Sequence, residues 1–195
     1  MTKNRIGIDV GGTNIKFALV SPKGEILYSN STPTRSEMGY EYTVNNMKQA
    51  IITLMEETNS SKANVEGIGF GFPGQIDYKN GIVKHSTNIP GWNNVSITDI
   101  IEKEFGIPTR IDNDVRVATL GELNYGAGKG CDNLVCITVG TGIGSGIVIN
   151  GKLVRGASNT AGEIGHIKLF ANGEKLCGCG DYGCLEAYVS GPSIV

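Results

Sequence analysis

The chain is short of the features that mark several protein classes. No run approaches the roughly 18 apolar residues of a membrane-spanning helix, so none is expected. The N-terminus lacks the form of a secretory signal. Lys3 and Arg5 lead straight into a strand pattern, with no apolar stretch and no small-residue cleavage site. Neither sign of charge is in excess. Lys and Arg number 17 against 19 Asp and Glu, and the net charge of −2 argues against a nucleic-acid scaffold or a polybasic membrane binder. Histidine is scarce, with only His85 and His166 present, which leaves little for the nucleophile–histidine pair of acyl-transfer hydrolysis. The five cysteines are Cys131, Cys136, Cys177, Cys179 and Cys184. An odd count without a signal speaks for a reducing compartment, and a cytoplasmic location is expected.

Glycine is abundant. There are 29 in 195 residues, against an average usage of roughly 7%. They show no collagen period and cluster in turns, as a backbone does where it must approach a ligand or another segment closely. The length suits one domain or two small ones.

The pattern opens with a β-hairpin over 5–20, a strand over 24–32 and a polar loop over 33–39. Val44, Met47, Ile51, Leu54 and Met55 fall at helical spacing within 40–58. Strands are expected over 65–72, 82–87 and 109–112. Ser96 and Asp99 open a helix that runs to Phe105 by a capping-box-like pattern, and a second helix covers 115–125. Residues 133–149 repeat the opening design of strand, Gly-rich turn and strand. The repeat suggests two related α/β lobes facing a cleft, divided near residue 113.

Four constellations carry chemistry. In Asp9-Val10-Gly11-Gly12-Thr13-Asn14-Ile15-Lys16, adjacent glycines can turn backbone N–H groups toward an oxyanion. Thr13 adds a hydroxyl and Asp9 could hold hydrated Mg²⁺. A plain tight hairpin is the other reading. The order of residues is neither a Walker A motif nor a Rossmann fingerprint, since a strand follows the turn. Gly140-Thr141-Gly142-Ile143-Gly144 is the second anion-binding candidate, and a pair of such turns is what a nucleotide-splitting cleft needs. Asn113-Asp114 ends a strand before a helix, where Asp114 either caps the helix or acts as a general base. Asp112 lies two residues earlier, within the strand, and is not taken as the candidate. Finally, His166 with Cys177, Cys179 and Cys184 matches a Cys₃His structural zinc site. Glu163 and Glu186 flank it, either as solvated carboxylates or as acceptors for the hydroxyls of a polyol. His85 has no assigned role.

Taken together these residues resemble the ROK family of sugar kinases, within the superfamily of sugar kinases, heat-shock ATPases and actin. The matching segments are IDVGGTNIK at 8–16, GFPGQID at 71–77, TNIPGW at 87–92, NDV at 113–115, LGE at 120–122, GTGIGSGI at 140–147, GEIGH at 162–166 and CGCGDYGCLEAYVSG at 177–191. They follow the family's order along nearly the whole chain.

The resemblance implies an α/β fold of the actin-like, ribonuclease H-like kind, with two lobes that are each a mixed sheet flanked by helices. An N-terminal small lobe would cover 1–113, and 114–195 would begin the C-terminal large lobe. It implies an ATP-dependent hexokinase that phosphorylates the 6-hydroxyl of a hexose, glucose first. N-acetylmannosamine, N-acetylglucosamine and fructose are the alternatives, and polyphosphate is an alternative donor. Asp114 would be the base. Asn113, Glu163, His166 and Glu186 would bind sugar hydroxyls, with Gly74, Thr87 and Asn88 closing over them. Asp9, Gly11, Gly12, Thr13 and Lys16 would hold phosphate and Mg²⁺, and Thr141 with Gly142 the other phosphates. His166, Cys177, Cys179 and Cys184 would hold Zn²⁺. Sugar and ATP are the implied partners, with a homodimer common in the family and neither nucleic acid nor membrane expected. A ROK-type sugar-responsive regulator is the non-enzymatic alternative. It is disfavoured because only Met1 to Asn4 precede the first strand, where such regulators carry a DNA-binding segment. Two departures from the family pattern stand out. Arg116 occupies a position where the family often has Asn, and the family pattern runs on beyond Val195, where the adenine-binding loop is expected.

Overall fold

The computed structural model describes residues 3–86 and 89–194. The chain divides into two compact units, one reaching to Asp114 and one running from Val115 onward.

The first unit is organised by a mixed sheet. Strands β1 (Asn4–Val10), β2 (Asn14–Val20) and β3 (Ile26–Pro33) form an antiparallel meander. Strand β4 (Val65–Phe72) then pairs with β1 in parallel, and a later strand, Thr109–Asn113, pairs with β4 in parallel. Alternation sets the faces. Ile6, Ile8 and Val10 point into the core while Arg5 and Asp9 face out. Helix α1 (Tyr40–Glu57) buries Val44, Met47, Ala50, Ile51 and Leu54 in the same core, as the 3.6-residue spacing predicts.

A small antiparallel sheet of β5 (Gln75–Asp77), β6 (Ile82–His85) and β7 (Asn93–Ser96) follows β4. Trp92 is fully buried beside it, its ring 4.5 Å from that of Phe72. Helix α2 (Ile97–Phe105) ends at Gly106, whose left-handed backbone (φ 62°) lets its N–H bond Glu102 O. Glu102 Oε1 accepts the N–H of Thr109 at 2.7 Å, which fixes where β8 (Thr109–Asn113) begins.

The second unit contains an antiparallel sheet of β9 (Leu134–Val139), β10 (Ile143–Ile149) and β11 (Lys152–Val154). Helix α3 (Asp114–Tyr125) lies against β10 so closely that only glycine fits there. A Cβ on Gly146 would stand 1.9 Å from Thr119 Oγ1, and one on Gly144 2.6 Å from Val115 Cγ2. Val135, Ile137 and Val139 form an exposed apolar row on β9, while Cys136 between them is half-buried.

The strands expected at 5–20, 65–72, 109–112 and 133–149 and the helices at 40–58 and 115–125 are present within a residue or two. The expected strand at 82–87 ends at His85, with Thr87 outside the described residues. Strands β5, β7 and β11 have no counterpart in the sequence pattern, since three or four residues carry too little periodicity to register. Ser96 precedes α2 as expected but makes no side-chain cap, being the last residue of β7. Among the described residues no helix is long and apolar enough to cross a membrane.

Candidate functional site

In the first unit the Gly11–Thr13 turn is held from one side. Thr34 Oγ1 donates to Gly11 O (2.6 Å), Ser36 Oγ to Gly12 O (3.4 Å) and Thr34 N–H to Thr13 O (2.8 Å). In a trans peptide the N–H of the next residue points opposite to the carbonyl. The N–H groups of Gly12, Thr13 and Asn14 therefore point away from residues 34–36, as an anion cradle requires. Asp9 and Lys16 are cross-strand partners with exposed side chains, next to the turn.

At the same end of the sheet, where the parallel strands β1, β4 and β8 all finish, β4 and β8 bring Gly74 and Asn113 together. Asn113 Nδ2 donates to Gly74 O at 3.4 Å. Gly74 takes φ +117°, and a Cβ there would stand 2.3 Å from His85 O, so only glycine makes this turn. Thr87 and Asn88 lie outside the described residues, between Ser86 and Ile89, which are both buried. Asp114 is half-buried as the first residue of α3. Asp112 is buried, its Oδ1 accepting the N–H of Asn113.

In the second unit the Gly140–Ile143 turn is tied down at both ends. Gly140 N–H bonds Gly142 O, Gly191 N–H bonds Gly140 O, and Glu186 Oε2 accepts the N–H of Ile143 at 2.8 Å. Thr141 is exposed at the tip. A side chain on Gly142 would meet Glu186 Oε2 at 2.3 Å, so the glycine makes room for that carboxylate.

Glu163 and His166 bracket a 3-10 turn (Ile164–His166) packed on β10. Ser145 binds Gly162 O through both its N–H (3.2 Å) and its hydroxyl (2.8 Å). Hypothetical Cβ atoms on Gly162 and Gly165 would each lie 2.3 Å from a β10 carbonyl. Gly165→Ala is therefore expected to push the turn off β10. The overpacking should cost about 1–3 kcal/mol, or roughly 2–4 °C of melting temperature per kcal/mol. Thermal denaturation checks this, and an unchanged melting temperature would contradict the tight packing.

His166, Cys177, Cys179 and Cys184 converge, with one donor atom from each lying within 4.8 Å of all the others. Cys177 Sγ is 3.6 Å from His166 Nδ1, and Cys179 Sγ is 3.8 Å from Cys184 Sγ. These are not disulfide distances. A tetrahedron with metal–sulfur bonds of about 2.3 Å has S···S edges of roughly 3.8 Å and S···N edges of roughly 3.6 Å, so the donor set fits zinc in kind and in spacing. Burial pushes the Cys177 thiol up to about 12, whereas a backbone N–H, that of Asp181, lowers Cys179. The loop is also stapled by its own charges. Lys168 Nζ pairs with Asp181 Oδ2 at 2.6 Å and bonds Tyr182 O, and this hydrogen bond from Lys168 holds the Asp181 carboxyl below its ordinary range.

Glu186 links this cluster to the Gly140–Ile143 turn, because its other oxygen, Oε1, lies 3.6 Å from Cys177 Sγ. Ser145 carried no signal in the sequence beyond being a small polar residue among glycines in a strand. Arg116 was conspicuous only as a departure from the family pattern, yet it is buried and bonded to the loop before Glu163.

The sequence profile of the ROK family matches residues 5–195. Glucokinase of Halalkalibacterium halodurans is 41% identical over 189 residues, covering 97% of this chain and 57% of that protein. Glucokinase of Thermotoga maritima is 40% identical, with 97% and 58% covered. A crystal structure of a ROK family glucokinase from Streptomyces griseus, in complex with glucose and AMPPNP, superposes with a TM-score of 0.86 at 38% identity, covering 98% of this chain and 58% of that one. The chain thus spans somewhat under three-fifths of the length of the relatives it matches.

Proposed function

The chain belongs to the ROK family, and from that premise we propose that it carries the phosphate-binding turns and hexose site of an ATP-dependent hexokinase. The acceptor is the 6-hydroxyl of a hexose, with glucose preferred. The observation that carries this reading is the continuous array in the second unit. Glu186 holds the Gly140–Ile143 turn through one oxygen and faces Cys177 of the metal-type cluster through the other, while His166 contributes to the same cluster. A glycine turn, a carboxylate and an imidazole that a metal would fix, linked within one unit, suit a polyol that must be phosphorylated.

Phosphoryl transfer passes through a loose transition state, so the protein contributes mainly positioning and charge neutralisation. The N–H groups of Gly12 and Thr13 and the ammonium of Lys16 receive phosphate oxygens, and Thr141 and Gly142 receive others. Mg²⁺ held at Asp9 would neutralise charge developing on the transferred group. We assign Asn113, Glu163, His166 and Glu186, together with Gly74, Thr87 and Asn88, to the sugar hydroxyls, and Asp114 to the proton of the attacking hydroxyl. Zn²⁺ at His166, Cys177, Cys179 and Cys184 would be structural. Nδ1 of His166 is directed at the cluster, so zinc bound there would leave the proton on Nε2, which would serve as a donor for a sugar oxygen.

Calorimetric titration of the zinc-loaded protein with glucose, mannose, fructose and the two N-acetylhexosamines tests the reading. Saturable binding of glucose, weakened at least about tenfold in Glu163→Ala, is expected from the loss of hydrogen bonds to a bound polyol. Tighter binding of an N-acetylhexosamine would reassign the acceptor. Binding of none by the folded, metal-loaded protein would overturn the proposal.

A further inference from the structure

Arg116 lies on α3, two residues after Asp114, and is 2% exposed. Its Nη2 donates to Asn159 O at 2.8 Å and to Ala161 O at 3.0 Å. Those carbonyls belong to the loop that ends in Gly162-Glu163. The loop bends at left-handed residues, Gly156 (φ 74°), Asn159 (φ 60°) and Gly162 (φ 95°), and folds back on itself through Ala161 N–H to Arg155 O. The next carbonyl, that of Gly162, is held by Ser145 of β10. Carbonyls 159, 161 and 162 are therefore anchored from two different elements, α3 and β10. These elements are themselves in close packing through Gly146 and Thr119.

A loop with three left-handed residues has no regular ladder to define its shape, so its shape comes from such anchors. A planar guanidinium suits that job. Its N–H groups have fixed directions, and burial makes any misplacement of them costly. A lysine ammonium has neither the plane nor the reach to hold both carbonyls in the same way.

We propose that Arg116 is a positioning residue for sugar recognition, clamping the Asn159–Gly162 loop to α3 so that Glu163 and the following His166 are presented in one fixed pose. The inference rests on the assignment of Glu163 and His166 to the hexose site. In this role Arg116 acts through the loop rather than on a substrate, so its loss should affect sugar and nucleotide differently.

The test compares Arg116→Gln and Arg116→Lys with the wild-type protein, all zinc-loaded, by glucose titration, ATP kinetics and hydrogen exchange of the 156–163 amides. Misplacing a binding group by an ångström can cost on the order of 10²-fold. Arg116→Gln is expected to weaken glucose binding by about 10–100-fold and Arg116→Lys by a smaller factor, with KM for ATP within about twofold of wild type. Faster exchange should be confined to the 156–163 loop. If the Gln variant does not fold, the Lys variant decides by the same readings. Variants with wild-type glucose affinity and only a lower melting temperature would overturn the positioning role while leaving the hexose site standing. A wild-type protein that binds no hexose would remove the hexose site, and this inference with it.

Discussion

Asp114→Asn is expected to lower hexose phosphorylation by about 10²–10⁴-fold while changing hexose affinity by no more than a few-fold, since general-base assistance contributes on that scale. The amide keeps the shape and still hydrogen-bonds a hydroxyl, but it cannot take the proton. Asp114 sits where β8 ends and α3 begins, so its position is fixed by a sheet on one side and a helix on the other. In a loose transition state the hydroxyl proton leaves late, and a carboxylate suffices as acceptor provided it is correctly placed. Steady-state kinetics with coupled ADP detection, alongside calorimetric glucose binding, separates the two effects. A variant that retains more than about a tenth of the wild-type rate would place the base elsewhere. Tight glucose binding without turnover by the wild-type protein would favour a sugar sensor over a kinase.

Metal removal is expected to act on binding instead. Chelation, or Cys184→Ser, should remove zinc from the proposed site and weaken glucose binding about 10–100-fold, because the metal would orient His166 there. The pH dependence has a definite sign. Burial pushes the Cys177 thiol up to about 12, so at neutral pH the metal-free chain holds that thiol protonated. Zinc uptake must then release protons, and apparent zinc affinity falls as pH is lowered. Elemental analysis before and after chelation, followed by glucose titration, provides the measurement. A demonstrably zinc-free protein with unchanged glucose affinity would refute the coupling.

Much of the site is legible in the order of residues. Local chemistry announces the two glycine turns, and the Cys₃His set is close enough in sequence for residue identity alone to suggest a metal. The neighbouring aspartates show where that legibility ends. Asp112 and Asp114 stand two residues apart at a strand–helix junction, where alternation would put both on one face and so cannot separate them. Their distinction becomes physical in the fold, where Asp112 is buried and caps the Asn113 N–H while Asp114 opens a helix. Glu186 is similar. As a residue type it is a solvated carboxylate or a sugar ligand, but in the structure one of its oxygens already fixes the Gly140–Ile143 turn.

By itself the sequence determined the α/β character, the long strands and α1 through their periodicities, the two glycine turns and the candidate Cys₃His set. Each of these depends on residues near one another along the chain. Only the tertiary structure decided that Gly74 must be glycine because His85 O comes within reach, and that Glu186 bridges a turn and a thiol. It also decided that Arg116 clamps a loop more than forty positions downstream. Those relations are set by packing between distant segments, where a few tenths of an ångström separate a hydrogen bond from a clash, and no local pattern of polarity encodes that distance.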